Sequence, residues 1–127
     1  RVFPPMEIIY INSQDRYRIY SYTVKQNYKQ LIRYECPAAL SREAEDKIIS
    51  TARKIYSILQ CRDFARIDFR LANDGQLYFI EINPLPGLAP GYSDFPMIAE
   101  FNGMDYVSLV RCVLHSALRR HGLYFYG

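Results

Sequence analysis

Apolar and polar positions along this chain change period several times, and each change predicts an element. Residues 6–12 (MEIIYIN) and 17–24 (YRIYSYTV) are rich in β-branched and aromatic side chains and flank the polar stretch 13–16. They predict two strands joined by a turn. Residues 25–34 are polar and basic with weak periodicity, and predict a loop. Ser41 suits a helix N-cap, and Glu43, Glu45 and Asp46 load the turn after it with negative charge. Ala44, Ile48, Ala52, Ile55 and Leu59 then recur at helical spacing, so an amphipathic helix should run to about Gln60 and pack its stripe on a sheet. Near the C-terminus, residues 97–101 predict a short helix ending near Gly103. Tyr106, Leu109, Val110, Val113 and Ala117 form the stripe of a last helix, with Asp105 as N-cap and Gly122 beyond its end. The pattern is that of an α+β fold.

Between these helices lies ARIDFRLANDGQLYFIEINPLPGLAPG, residues 65–91. Asp74-Gly75 is a turn signal between two apolar arms, and predicts a β-hairpin. With a two-residue loop, Asn73 pairs with Gln76, Asp68 faces Glu81, and Arg66 faces Asn83. Alternation then places Arg66, Asp68, Glu81 and Asn83 on one face. A one-residue change in the turn would set Asp68 opposite Ile80 instead. Like charges directly opposite in a sheet are unfavourable, and a divalent cation between Asp68 and Glu81 would remove the penalty. Oxygen donors without histidine or thiol suit a hard cation such as Mg²⁺. Glu81-x-Asn83 alone also fits a solvated strand exit. Pro84, Pro86, Pro90 and Pro96 with Gly87 and Gly91 exclude regular structure after the hairpin, as a ligand-facing loop or a plain turn would require.

Length and composition narrow the field. A chain of 127 residues, half of them hydrophobic, is one domain with enough apolar surface for a core. Its net charge of +3 is spread out, so no nucleic-acid footprint emerges. Arg119-Arg120-His121 reads as a cationic helix end. The 12 tyrosines read as strand formers rather than base-stacking platforms. Cys36, Cys61 and Cys112 form no Cys-x-x-Cys pair, which argues against a disulfide framework or a zinc site. Each reads as a small buried hydrophobe, in a reducing and hence cytoplasmic setting. No apolar run is long enough to span a membrane, and no secretory signal stands at the N-terminus.

Residues 61–68 (CRDFARID), residues 75–83 (GQLYFIEIN), Pro86-Gly87 and residues 36–40 (CPAAL) together resemble the C-terminal part of the ATP-grasp fold, and most closely the D-alanine–D-alanine ligase family. The resemblance covers nearly the whole chain in order, and Gly103 with a helix after it also fits. It implies the C-terminal half of an ATP-grasp fold, a largely antiparallel sheet packed against helices. It implies ATP and Mg²⁺, or Mn²⁺, as cofactors of an ATP-dependent carboxylate–amine ligase acting through an acyl phosphate. Asp68, Glu81 and Asn83 match the family's metal ligands, with Glu81 bridging two ions. Arg66 matches the arginine that stabilises charge on the transferred phosphoryl group. Ile80 matches an apolar contact to adenine. Gly87 matches the glycine whose backbone N–H faces the reacting carboxyl. Ser93 matches a serine that holds the acceptor's carboxylate. Lys25 lies near a lysine close to the nucleotide phosphates, although the residues alone also fit an ordinary strand-end cation.

The chain also departs from the family. Pro84 stands where threonine is frequent, and the loop 88–94 is one residue longer than usual. Asp94 replaces an apolar or basic residue, which puts D-alanine specificity in doubt and suggests that an acid there holds an amine. The family's upstream glycine-rich loop, nucleotide-binding lysines, ribose-holding glutamate and N-terminal substrate domain are not in these 127 residues. Residues 1–127 therefore read as a single partial domain whose partners are ATP, small carboxylate and amine substrates, and the rest of its own protein. The alternatives are a non-catalytic, partner-dependent ATP-grasp module, and an ATP-grasp enzyme that uses another nucleophile.

Overall fold

The computed structural model describes residues 1–11 and 32–123, so the expected turn 13–16, the expected strand 17–24 and Lys25 lie outside the described residues. Strand β1 (Glu7–Tyr10) pairs antiparallel with β2 (Ile32–Glu35), from Glu7 opposite Glu35 to Tyr10 opposite Ile32. Part of the segment expected as loop is therefore a strand. Four residues of alternation, Ile-Arg-Tyr-Glu, are too few to stand out beside a basic stretch. Pairing with β1 supplies the hydrogen bonds that local propensity does not, and Ile32 is only 5 % exposed.

Helix α1 (Arg42–Ile58) begins as expected. The hydroxyl of Ser41 accepts from the Ala44 N–H at 3.2 Å, satisfying one of the free donors of the first turn. Its stripe is present, with Ala44, Ile48, Ala52 and Ile55 half-buried, but no residue of the helix is fully buried. At its C-terminal end Ile58 and Leu59 remain 77 % and 54 % exposed.

Strands β3 (Arg66–Leu71) and β4 (Leu77–Asn83) form the second antiparallel pair. Helix α2 (Asp94–Phe101) starts earlier than its sequence signal, because Pro96 sits in the first turn. A proline is tolerated there, since its missing N–H would have no intrahelical partner. Helix α3 (Tyr106–Arg120) is capped by Asp105, whose carboxylate accepts from the Ser108 N–H at 2.8 Å and holds a charge favoured by the helix start. These bonds push the Asp105 carboxyl below its ordinary pKa. The α2–α3 corner supplies much of the core: Pro96, Ala99 and Leu109 are buried there, while Ile32 and Pro86 are buried elsewhere. Full burial of a side chain such as Leu109 contributes about 2 kcal/mol.

No helix among the described residues is long and apolar enough to cross a membrane. The cysteines are free, with Cys36 and Cys61 half-buried. Burial raises the Cys36 thiol pKa, against a smaller opposing effect of the Asn102 amide. Cys112 is exposed on α3, contrary to the expectation that each cysteine is buried.

Candidate functional site

The site is built on the β3–β4 hairpin, and its register differs from the expected one at the turn yet agrees with it at the carboxylates. Ala72 donates to the Gln76 carbonyl at 2.9 Å and Gly75 to the Ala72 carbonyl at 3.0 Å, so residues 73–75 form a three-residue loop. Gly75 takes φ +81°, the left-handed conformation such a loop requires at its last position. The Asp74 carboxylate accepts from the Gln76 N–H at 3.0 Å and fixes the turn. Leu71 therefore faces Leu77 and Phe69 faces Phe79, one step away from the two-residue register. A β-bulge then inserts Ile80 as the extra residue, and beyond it Asp68 faces Glu81 and Arg66 faces Asn83.

The bulge decides the chemistry of the hairpin. Without it, Glu81 would share a face with Phe79, because alternate residues of a strand point the same way. With it, Glu81 and Asn83 join Arg66 and Asp68. The apolar run Leu77-Tyr78-Phe79-Ile80 shows no alternation, so the sequence does not mark where the extra residue sits. On the opposite face, Phe69 and Phe79 pack edge-on with ring centres 6.4 Å apart. Ile80, expected against adenine, is 59 % exposed beside the exposed Tyr78 and Phe79.

Arg66 organises the polar face. Its Nε donates to Asp68 Oδ1 at 2.9 Å and its Nη2 to Asp68 Oδ2 at 3.0 Å, while Glu81 Oε1 lies 3.8 Å from Nη2. The cross-strand repulsion between Asp68 and Glu81 is thus offset by this guanidinium within the chain, so the repulsion does not by itself demand a bound cation. Burial opposes the charge of Arg66, but its hydrogen bond to Asp68 and the charges of Asp68, Asp94 and Glu81 outweigh it and raise the pKa.

Asn83 and the loop after it complete the site. Asn83 Oδ1 accepts from the Leu85 N–H at 3.1 Å, closing a turn that starts the proline-rich segment. That oxygen keeps a second lone pair. Asp68, Glu81 and Asn83 thus offer two carboxylates and an amide oxygen on one face, a donor set that fits a hard cation. Among the described residues, no three His, Cys, Asp or Glu side chains come together as a metal-ligand group. A three-ligand protein site on this face would have to include the amide of Asn83.

The loop brings Gly87 and Ser93 together. A Cβ on Gly87 would meet Ser93 Oγ at 2.6 Å, so the approach depends on glycine. Ser93 Oγ accepts from the Ala89 N–H at 3.2 Å, which leaves the hydroxyl hydrogen to be donated elsewhere. Asp94 follows at the start of α2. Its Oδ2 accepts from Arg66 Nη1 at 3.2 Å and its Oδ1 from the Tyr34 hydroxyl at 3.3 Å. The acid that the sequence suggested could hold an amine is engaged in this structure by an arginine and a tyrosine of the chain itself. Tyr34 lies in the stretch expected as loop, and its part in β2 is what brings its hydroxyl to Asp94.

The profile of the family described as D-ala D-ala ligase C-terminus matches residues 1–115. A D-alanine–D-alanine ligase of Dechloromonas aromatica is 42 % identical over 98 residues, covering 77 % of this chain and 32 % of that protein. A Rickettsia bellii D-alanine–D-alanine ligase is 37 % identical over 102 residues, covering 79 % and 31 %. The structure of D-alanyl-alanine synthetase A from Vibrio cholerae superposes with a TM-score of 0.70 at 30 % identity, over 93 % of this chain and 34 % of that one. A Bacillus anthracis D-alanine–D-alanine ligase complexed with ATP superposes with a TM-score of 0.65 at 28 % identity, over 73 % and 32 %. The chain spans about a third of the length of these relatives. The ordered match of sequence, hairpin and loop leads to one conclusion: the chain belongs to the D-ala D-ala ligase C-terminus family, the C-terminal part of an ATP-grasp fold.

Proposed function

We propose that this chain supplies the metal- and phosphate-handling side of an ATP-dependent carboxylate–amine ligase that works through an acyl phosphate. The observation that carries the reading is the convergence of Asp68, Glu81, Asn83 and Arg66 on one face of the bulged hairpin, beside the Gly87–Ser93 loop. Asp68, Glu81 and Asn83 would hold Mg²⁺ or Mn²⁺, which when bound neutralises charge on the β- and γ-phosphates of ATP. Arg66 stabilises charge on the phosphoryl group as it passes to a substrate carboxylate. The Gly87 N–H faces the oxyanion that forms when an amine displaces phosphate, and losing one such donor costs about 3 kcal/mol of transition-state stabilisation. The Ser93 hydroxyl donates to the carboxylate of the acceptor. Ile80, exposed on the hairpin, offers adenine an apolar contact; Lys25, which lies outside the described residues, is assigned to the nucleotide phosphates by the family resemblance alone.

In the full-length protein, Glu81→Gln keeps the shape of the side chain and removes its charge. It should abolish ATP-dependent ligation with little loss of stability, since Glu81 is exposed. Turnover at the unsubstituted rate would reject the metal assignment.

A second reading concerns the polypeptide by itself. Tyr78, Phe79 and Ile80 of β4 are all exposed, and because neighbouring strand residues point to opposite faces, apolar side chains stand uncovered on both sides of the hairpin. We propose that residues 1–127 are a single partial domain without ligase activity of its own, completed by other parts of its protein, in a cytoplasmic setting that suits the free thiols. Isothermal calorimetry on the isolated chain should find at best weak Mg²⁺–ATP binding, and micromolar affinity would contradict this.

A further inference from the structure

Asp68 is asked to do two things at once. Both of its oxygens accept from Arg66, at 2.9 and 3.0 Å, and the same oxygens belong to the candidate metal site. A divalent cation at Asp68 would compete for that carboxylate and repel the guanidinium. An arginine held by Asp68 alone would be driven off as the metal arrives. Arg66 has a second hold on a different element: Nη1 donates to Asp94 Oδ2 at 3.2 Å. Asp94 is itself fixed, with its side chain 13 % exposed. Its other oxygen accepts from the Tyr34 hydroxyl at 3.3 Å. Its charge also lies in the first turn of α2, where the helix start favours an anion. One guanidinium thus joins β3 to α2, and through Asp94 to β2.

We propose that Asp94 is a positioning residue: it retains Arg66 at the site when a cation takes over the oxygens of Asp68. This rests on the metal and phosphoryl roles given above to Asp68 and Arg66. Arg66 is then released from Asp68 yet stays tethered through Nη1, with Nε and Nη2 turned from an internal carboxylate toward an incoming anion. Tyr34 acts one step further out, by holding the orientation of Asp94.

The test uses the full-length protein and reads Arg66 directly, by nitrogen-15 NMR of its guanidinium during titration with MgCl₂. In the unsubstituted protein, rotation of the guanidinium should stay restricted at saturating Mg²⁺. In Asp94→Asn it should become free on addition of Mg²⁺, and Asp94→Glu should restore the restriction. ATP turnover by Asp94→Asn should fall about tenfold in kcat, with KM for ATP changed less than about threefold, as expected for a misplaced but intact group. Identical guanidinium behaviour in Asp94→Asn and the unsubstituted protein would overturn the proposal. If neither protein turns over ATP, the ligase reading fails, while the NMR comparison still decides the role of Asp94. If Asp94→Asn does not fold, Tyr34→Phe decides: looser Arg66 rotation in Mg²⁺ supports the proposal, and unchanged rotation overturns it.

Discussion

The contact between Gly87 and Ser93 gives a prediction whose sign depends on a neighbouring hydroxyl. Replacing Gly87 by alanine puts a Cβ 2.6 Å from Ser93 Oγ, while Ser93 Cβ is 3.4 Å away. The hydroxyl is the part that must move, and in moving it gives up the Ala89 N–H it now accepts at 3.2 Å. A hydrogen bond of this kind contributes about 1 kcal/mol net. Gly87 does not occupy the left-handed region, so alanine meets no backbone obstacle there. Restricting the unfolded chain by this change stabilises by about 0.4–1 kcal/mol. With Ser93 present the two effects nearly cancel. In a Ser93→Ala background the clash and the bond are both gone, and Gly87→Ala should be stabilising. The quantity to measure is the difference between the two backgrounds, about 1 kcal/mol, from urea unfolding of the four proteins of a double-mutant cycle. An equal effect of Gly87→Ala with and without the Ser93 hydroxyl would show that the two residues do not meet. The close loop from which both are proposed to act on substrate would fall with that contact.

Two further predictions test parts of the fold remote from the site. Ser41→Ala removes the acceptor for the Ala44 N–H and should cost about 1 kcal/mol in a denaturant melt, with Ser41→Asp retaining most of the stability. Asp63 accepts from Arg120 Nη2 at 2.7 Å and Nε at 3.3 Å, and this pairing holds its carboxyl below the ordinary value despite desolvation. Because the folded pKa is depressed, the contribution of the pair is complete above the unfolded carboxylate pKa and disappears as pH falls through the folded one. Thermal melts across the acid range should therefore show a shallower loss of stability in Asp63→Asn than in the unsubstituted protein. Parallel slopes would remove the pair from the account.

Much of this protein was legible along the chain. The capping serine of α1, the capping aspartate of α3 and the amphipathic stripes are local signals, and the structure carries them in place. The polar face of the hairpin was also reached from sequence, but through a step the tertiary structure replaced. The turn holds three residues rather than two, and the bulge at Ile80 returns Asp68 and Glu81 to facing positions. Residues 77–80 are apolar throughout and do not mark the position of the bulge; only the formed ladder shows that it compensates for the turn.

The sequence by itself determined which residue types could meet a cation and a phosphate, because carboxylates, an amide and an arginine fix the donor chemistry, whereas their sharing one face depends on the bulge at Ile80. Tertiary structure alone decided what those groups do to one another. Tyr34 lies 60 residues from Asp94, and Arg66 lies 28 residues from it. Pairings over such distances depend on how β2, β3 and α2 are packed, which no local periodicity encodes. The same cause left β2 hidden. Four alternating residues become a strand only when β1 offers them a ladder, and that partnership is a property of the folded chain.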